Sequence, residues 1–126
     1  MEASEGLDKK NKLPGEAYSK RIRARFWITG EGEGYLGIGR IQLLENIEKH
    51  GSINSAAKSM GMSYKKAWKL IDELNQMSGS PLVIKSQGGK AGGGTSLTSE
   101  GREMVVKFRQ VENELIEFLE KASERF

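Results

Sequence analysis

The sequence predicts an α+β fold that is mainly α, on three observations. Apolar residues recur at helical spacing in four stretches, around 40–50, 53–60, 63–76 and 99–125. Two of these are short, begin at serines and flank Gly61. A glycine-rich run, 87–95, then sits between two short stretches of β character. Together they specify a winged helix-turn-helix with an N-terminal β-strand or hairpin and a long C-terminal dimerisation helix. The expected organisation is a disordered arm over 1–20, the winged helix-turn-helix over 21–98, and the dimerisation helix over 99–126.

The arm mixes Glu, Lys, Gly and Asn with little apolar content, which leaves nothing to bury against the entropy of ordering. From Arg21 the pattern changes. Ile22, Ala24 and Phe26 alternate with Arg21, Arg23 and Arg25, the period of a half-buried strand. Those arginines suit phosphates, a partner's acids or solvent, and the sequence does not choose among them. Residues 29–34 form a turn, and Tyr35 to Ile38 return as a second strand. Ile41, Leu44 and Ile47 mark the inner face of the next helix, which Gly51 stops. Ser52 caps a helix that buries Ile53, Ala56, Ala57 and Met60, and Gly61 ends it. Ser63 caps a third helix with Tyr64, Ala67, Trp68, Ile71 and Leu74 on one face, Trp68 in the core. Gly79, Ser80 and Pro81 break the chain. Leu82 to Ile84 and Ser96 to Thr98 then form the strands of a ribbon. Thr98 or Ser99 caps the last helix. Its Met104, Phe108, Val111, Leu115, Phe118 and Ala122 step by four and three, the seam of a helix pair and the expected dimer contact.

Composition narrows the classes. The 126 residues suit one domain with a tail. There is no Cys and one His, which excludes disulfides and a His-rich or thiolate metal site within one chain. No apolar run approaches the roughly 20 residues needed to cross a bilayer, and the first residues lack the apolar centre of a signal peptide. A cytoplasmic protein is expected. The net charge of +3 and pI of about 9.2 are too mild to name a partner, so placement of charge must do so.

Two glycine motifs invite nucleotide readings and fail. In the loop 87–95, Lys90 is followed by Ala91 and the chain leads into a strand, whereas a phosphate-binding loop needs Lys-Ser/Thr opening a helix. Residues 32–37 match Gly-x-Gly-x-x-Gly, but a helix follows where the second parallel strand should be, and Glu33 would repel a pyrophosphate. His50 fits a helix C-terminus, and no nucleophile motif accompanies it. No catalytic constellation, cofactor or metal is expected.

The third helix carries the functional signal. Its outward face reads Lys65, Lys66 and Lys69 first, then Asp72 and Glu73. That order opposes the helix dipole, which favours acids early and bases late. An anion at the helix N-terminus would reverse the penalty, because free backbone N–H groups point there too. DNA phosphates suit it. The expected recognition helix is 63–76, with Ser63 and Tyr64 at its groove-facing start, although Tyr64 could equally close the core. A wing over 87–95 would bring Gly89, Lys90 and Thr95 to the phosphate backbone, its five glycines in 88–94 permitting close approach. The competing reading is a protein–protein adaptor that uses the C-terminal helix.

The runs Arg25-Phe-Trp-Ile, Gly34-Tyr-Leu-Gly-Ile-Gly-Arg-Ile-Gln-Leu-Leu-Glu, Met62-Ser-Tyr-Lys-Lys-Ala-Trp and Gly88-Gly-Lys-Ala-Gly-Gly-Gly resemble the DNA-binding domain of the molybdate-responsive ModE-type regulators. More loosely, the chain is similar to the N-terminal domains of LysR-type regulators. The resemblance covers about 21–126. It implies a dimer on palindromic double-stranded DNA, with 63–69 opening the recognition helix and Lys90 in the wing. Ala91 stands where a glycine is common. The family's molybdate-binding domains are expected to be absent, so a separate oxyanion-binding protein is a candidate partner.

Overall fold

The first ordered pairing is a two-residue ladder, and its shortness has a local cause. Strands β1 (Ile28–Thr29) and β2 (Tyr35–Leu36) run antiparallel with Ile28 opposite Leu36 and Thr29 opposite Tyr35. Helix α1 (Ile38–His50) starts two residues after β2, so the ladder has nothing further to offer. The strand expected from Arg21 therefore does not form. Residues 22–26 are all half-buried, and only Arg21 among the three arginines is exposed. The computed structural model describes residues 21–30, 35–85 and 94–126. The arm and the centre of the glycine-rich loop, with Gly89 and Lys90, lie outside the described residues.

The chain divides into two units, one of which is Trp27–Val106. Its centre is α1. Ile38, Ile41, Leu43, Leu44 and Ile47 are all buried, more than a single stripe, because α1 packs on both α2 (Ile53–Ser59) and the ribbon strand β4 (Thr95–Leu97). Gly51 ends α1 at φ 75°, with its N–H donating to the Ile47 carbonyl at 2.8 Å. The Ser52 hydroxyl then accepts from the Ser55 N–H at 3.1 Å and opens α2 as expected. At the corner, the Met62 N–H folds back to the Ala57 carbonyl at 3.0 Å, and Gly61 takes φ 67°. Open space surrounds the missing Cβ of Gly61, so backbone conformation and not room selects glycine. Ala57 is buried at the helix crossing. Met60 is only half-buried, because it already lies in the turn.

Helix α3 (Tyr64–Met77) buries Ala67, Ile71, Leu74 and Met77. Strand β3 (Val83–Lys85) pairs antiparallel with β4, Val83 opposite Leu97, Ile84 opposite Ser96 and Lys85 opposite Thr95. One side chain joins helix to ribbon. The Asn75 Oδ1 accepts from the Leu82 N–H at 2.8 Å and the Val83 N–H at 3.2 Å, and its Nδ2 donates to the Val83 carbonyl at 3.3 Å. The other end of the ribbon is fixed by the Thr95 N–H on the Gly51 carbonyl at 2.8 Å. Thr98 caps α4 (Ser99–Ser123): its Oγ1 accepts from the Gly101 N–H at 3.0 Å and donates to the Pro81 carbonyl at 2.8 Å. A side chain at Gly101 would run into the Leu82 carbonyl, which explains glycine inside a helix.

Among the described residues, the second unit comprises 21–26 and 107–126. Among its described residues, the Phe26 ring stacks on Phe108 at 4.6 Å between centroids, and Phe108 is fully buried. Glu112 is buried and paired with Arg109 Nη1 at 2.7 Å, one turn away.

The Asn75→Ala variant is expected to lose about 1–3 kcal/mol, because it strands two backbone N–H groups. Chemical denaturation measures that loss, and amide exchange at Leu82 and Val83 should accelerate with it.

Candidate nucleic-acid interface

The N-terminus of α3 is built by Ser63. Its Oγ accepts from the Lys66 N–H at 3.0 Å, while its backbone is still extended. The helix then projects Tyr64, Lys65, Lys66 and Lys69 into solvent, all exposed, with no acid in the first turn. Ala67, Ile71 and Leu74 hold the opposite face in the core, so the three lysines cannot turn inward. The residues expected to open the recognition helix are therefore brought together on one exposed surface.

A groove of about 590 Å³ runs along this surface, lined by Arg40, Ser63, Lys65, Lys66, Lys69, Leu70 and Glu73. Four cations face one carboxylate there. Arg40 is the residue that sequence reasoning missed. It comes from α1, is only 9 % exposed, and lies with its guanidinium carbon 4.0 Å from the centre of the Tyr35 ring. Its Nη1 stands 2.8 Å from Glu73 Oε1, an ion-pair distance. Nη1 nonetheless has no directed hydrogen-bond partner. The available signal was an arginine at the start of an otherwise apolar helix face.

A second cluster lies where α3 meets the ribbon. Trp68 is half-buried, whereas a core position was expected. Lys85 Nζ sits 4.6 Å from the ring centre, and Tyr64 meets the same indole edge-on at 6.3 Å. Tyr64 is 51 % exposed and does not close the core. Ile84, beside Lys85, is exposed.

Thr95 requires a correction. It is 7 % exposed and spends its N–H on Gly51, so it roots the ribbon and offers no surface to a ligand. Its cross-strand partner Lys85 is the exposed side chain at that level. Gly89 and Lys90 lie outside the described residues.

The expected seam on α4 also divides. Phe108 and Ala122 are buried within the chain and cannot meet another. Met104 and Leu115 are half-buried. Val111 is 43 % and Phe118 64 % exposed. Met104, Val111 and Phe118 follow one another at seven-residue steps and form a strip beside the buried one.

Among the described residues, no cluster of three or more His, Cys, Asp or Glu could hold a metal, and no helix is long and apolar enough to cross a membrane.

Residues 38–102 match the family model described as bacterial regulatory helix-turn-helix protein, lysR family. The match takes in α1 through the start of α4, the elements that shape the groove. The chain is 50 % identical over 105 residues to the molybdenum transport protein ModE of Azotobacter vinelandii, covering 83 % of this chain and 39 % of that protein. It is 48 % identical over 66 residues to the DNA-binding transcriptional dual regulator ModE of Escherichia coli K12, with 52 % of this chain and 25 % of that protein covered. The molybdenum-pterin-binding protein MopB of Rhodobacter capsulatus is 39 % identical over 77 residues, 61 % of this chain and 28 % of that protein. The chain thus spans less than two fifths of the length of each of these relatives.

Ser63→Ala should lower stability by about 1 kcal/mol through loss of the cap. Thermal unfolding followed by far-ultraviolet dichroism measures it, and an unchanged midpoint would mean that the cap is dispensable.

Proposed function

The chain belongs to the bacterial regulatory helix-turn-helix proteins of the lysR family, and from that premise we propose that it is a sequence-specific transcriptional regulator that reads duplex DNA with α3. The observation that carries the reading is the groove in which four cations gather around a helix N-terminus with no acid in its first turn. Lys65, Lys66 and Lys69 neutralise phosphates, while Ser63 and Tyr64 face base edges at the start of the helix. The glycine-rich wing, 87–95, follows the neighbouring backbone with Gly89 and Lys90. Thr95 anchors its root and Lys85 adds a cation beside it.

The active species in this reading is a homodimer on a two-fold site. The support is the strip of Val111 and Phe118, two large apolar side chains exposed on a helix that already buries a separate stripe. Two copies of α3 would then enter successive major grooves roughly 34 Å apart. Effector sensing is assigned to no residue of this chain. A separate oxyanion-binding protein is the partner proposed for it, on the strength of the molybdenum in the relatives' names.

Wild-type protein at micromolar concentration should retard a random-sequence duplex at low salt, and absence of a shift contradicts the reading. Lys66→Ala should reduce the slope of log affinity against log salt by about 0.9, the value for one phosphate contact. An unchanged slope removes Lys66 from the contact set. Phe118→Asp should shift sedimentation toward the monomer.

A further inference from the structure

The pairing of Arg40 with Glu73 is not accounted for by stability alone. A guanidinium that is 9 % exposed has lost most of its hydration and needs both charge and hydrogen-bond compensation. Glu73 supplies the charge at 2.8 Å but does not fill the N–H of Nη1. The Tyr35 ring holds the plane of the guanidinium from one side, at 4.0 Å. The Glu73 side chain is 33 % exposed and lies at the groove wall, so it can swing out without disturbing the core. The groove beyond it is lined by Lys65, Lys66 and Lys69, which would gather an anion at the spot that Glu73 vacates.

We propose that Arg40 is a guarded ligand for one DNA backbone phosphate. In the free protein Glu73 neutralises it. When α3 seats fully, a phosphodiester oxygen enters the groove, displaces the Glu73 carboxylate and takes the directed hydrogen bond that Glu73 leaves unmade. Arginine suits the post because a stacked, planar guanidinium keeps its donors fixed while its acceptor is exchanged. Glu73 acts as a brake. A duplex held loosely by the surface lysines does not reach Arg40, so only a seated complex gains this contact. The inference rests on the reading of α3 as the DNA-binding helix.

The test is a double-mutant cycle on the full chain with a random-sequence 20-base-pair duplex, read as the slope of log affinity against log salt. Glu73→Gln should steepen the slope by about 0.9, one further phosphate, equivalent to about a threefold greater loss of affinity between 50 and 200 mM salt. In the Arg40→Gln background the same substitution should leave the slope unchanged. Equal steepening in both backgrounds, or in neither, overturns the proposal, since removal of a repulsive charge needs no Arg40. If wild type itself does not bind, the DNA-binding reading falls and this one with it. If wild type binds and the cycle is flat, only this one falls. Should Arg40→Gln unfold, the guanidinium resonance of Arg40 is followed by NMR in Glu73→Gln during titration with the same duplex. It must move on binding, and a stationary signal overturns the proposal.

Discussion

Helix α3 and the ribbon β3–β4 are coupled through one amide side chain. Asn75 lies in the last turn of α3, and its carboxamide satisfies three backbone groups of β3 and the residue before it. Backbone groups buried without partners cost about 1–3 kcal/mol each, so the ribbon cannot slide along α3 without leaving some of them unpaired. Leu82 and Val83, whose amides are held, are buried themselves. From this point outward the arrangement is determined: β3 fixes β4, β4 reaches the α1–α2 corner through Thr95 and Gly51, and Thr98 starts α4 against Pro81. The exposed lysines of α3 and Lys85 of β3 are thereby presented on a frame set by contacts behind them.

Local chemistry was legible in the sequence where a residue acts on its own neighbours. Ser52 and Ser63 cap the helices expected of them, Thr98 and not Ser99 caps the last, and Gly51 and Gly61 adopt the left-handed conformation that their positions in turns demand. What could not be read depends on residues far apart in the chain. The alternation from Arg21 to Phe26 looked like a strand, but a strand needs a partner, and the early start of α1 leaves none. Trp68 sits in the middle of an apolar face, yet it is only half-buried, with Lys85 of the ribbon over its ring. The even heptad of α4 conceals two environments, a buried stripe through Phe108 and an exposed one through Phe118. Periodicity reports which residues share a face. It is silent on how much of that face another element covers.

The site was half legible for the same reason. Lys65, Lys66 and Lys69 lie on consecutive turns, and their order against the helix dipole is a sequence property. Arg40 is 33 positions from Glu73, and only the tertiary fold brings them to 2.8 Å. The groove therefore combines a local part that draws anions by charge with a tertiary part whose charge is balanced internally. Under the proposed function, that division separates loose electrostatic attraction from seated recognition.

If DNA sits on the face of α3 that lines the groove, chemical-shift mapping of the full chain against a short duplex will show it. Perturbations should concentrate at residues 63–69 and Lys85, with residues 107–123 nearly unmoved. Perturbations confined to α4, or spread evenly over the exposed lysines of the chain, would contradict it.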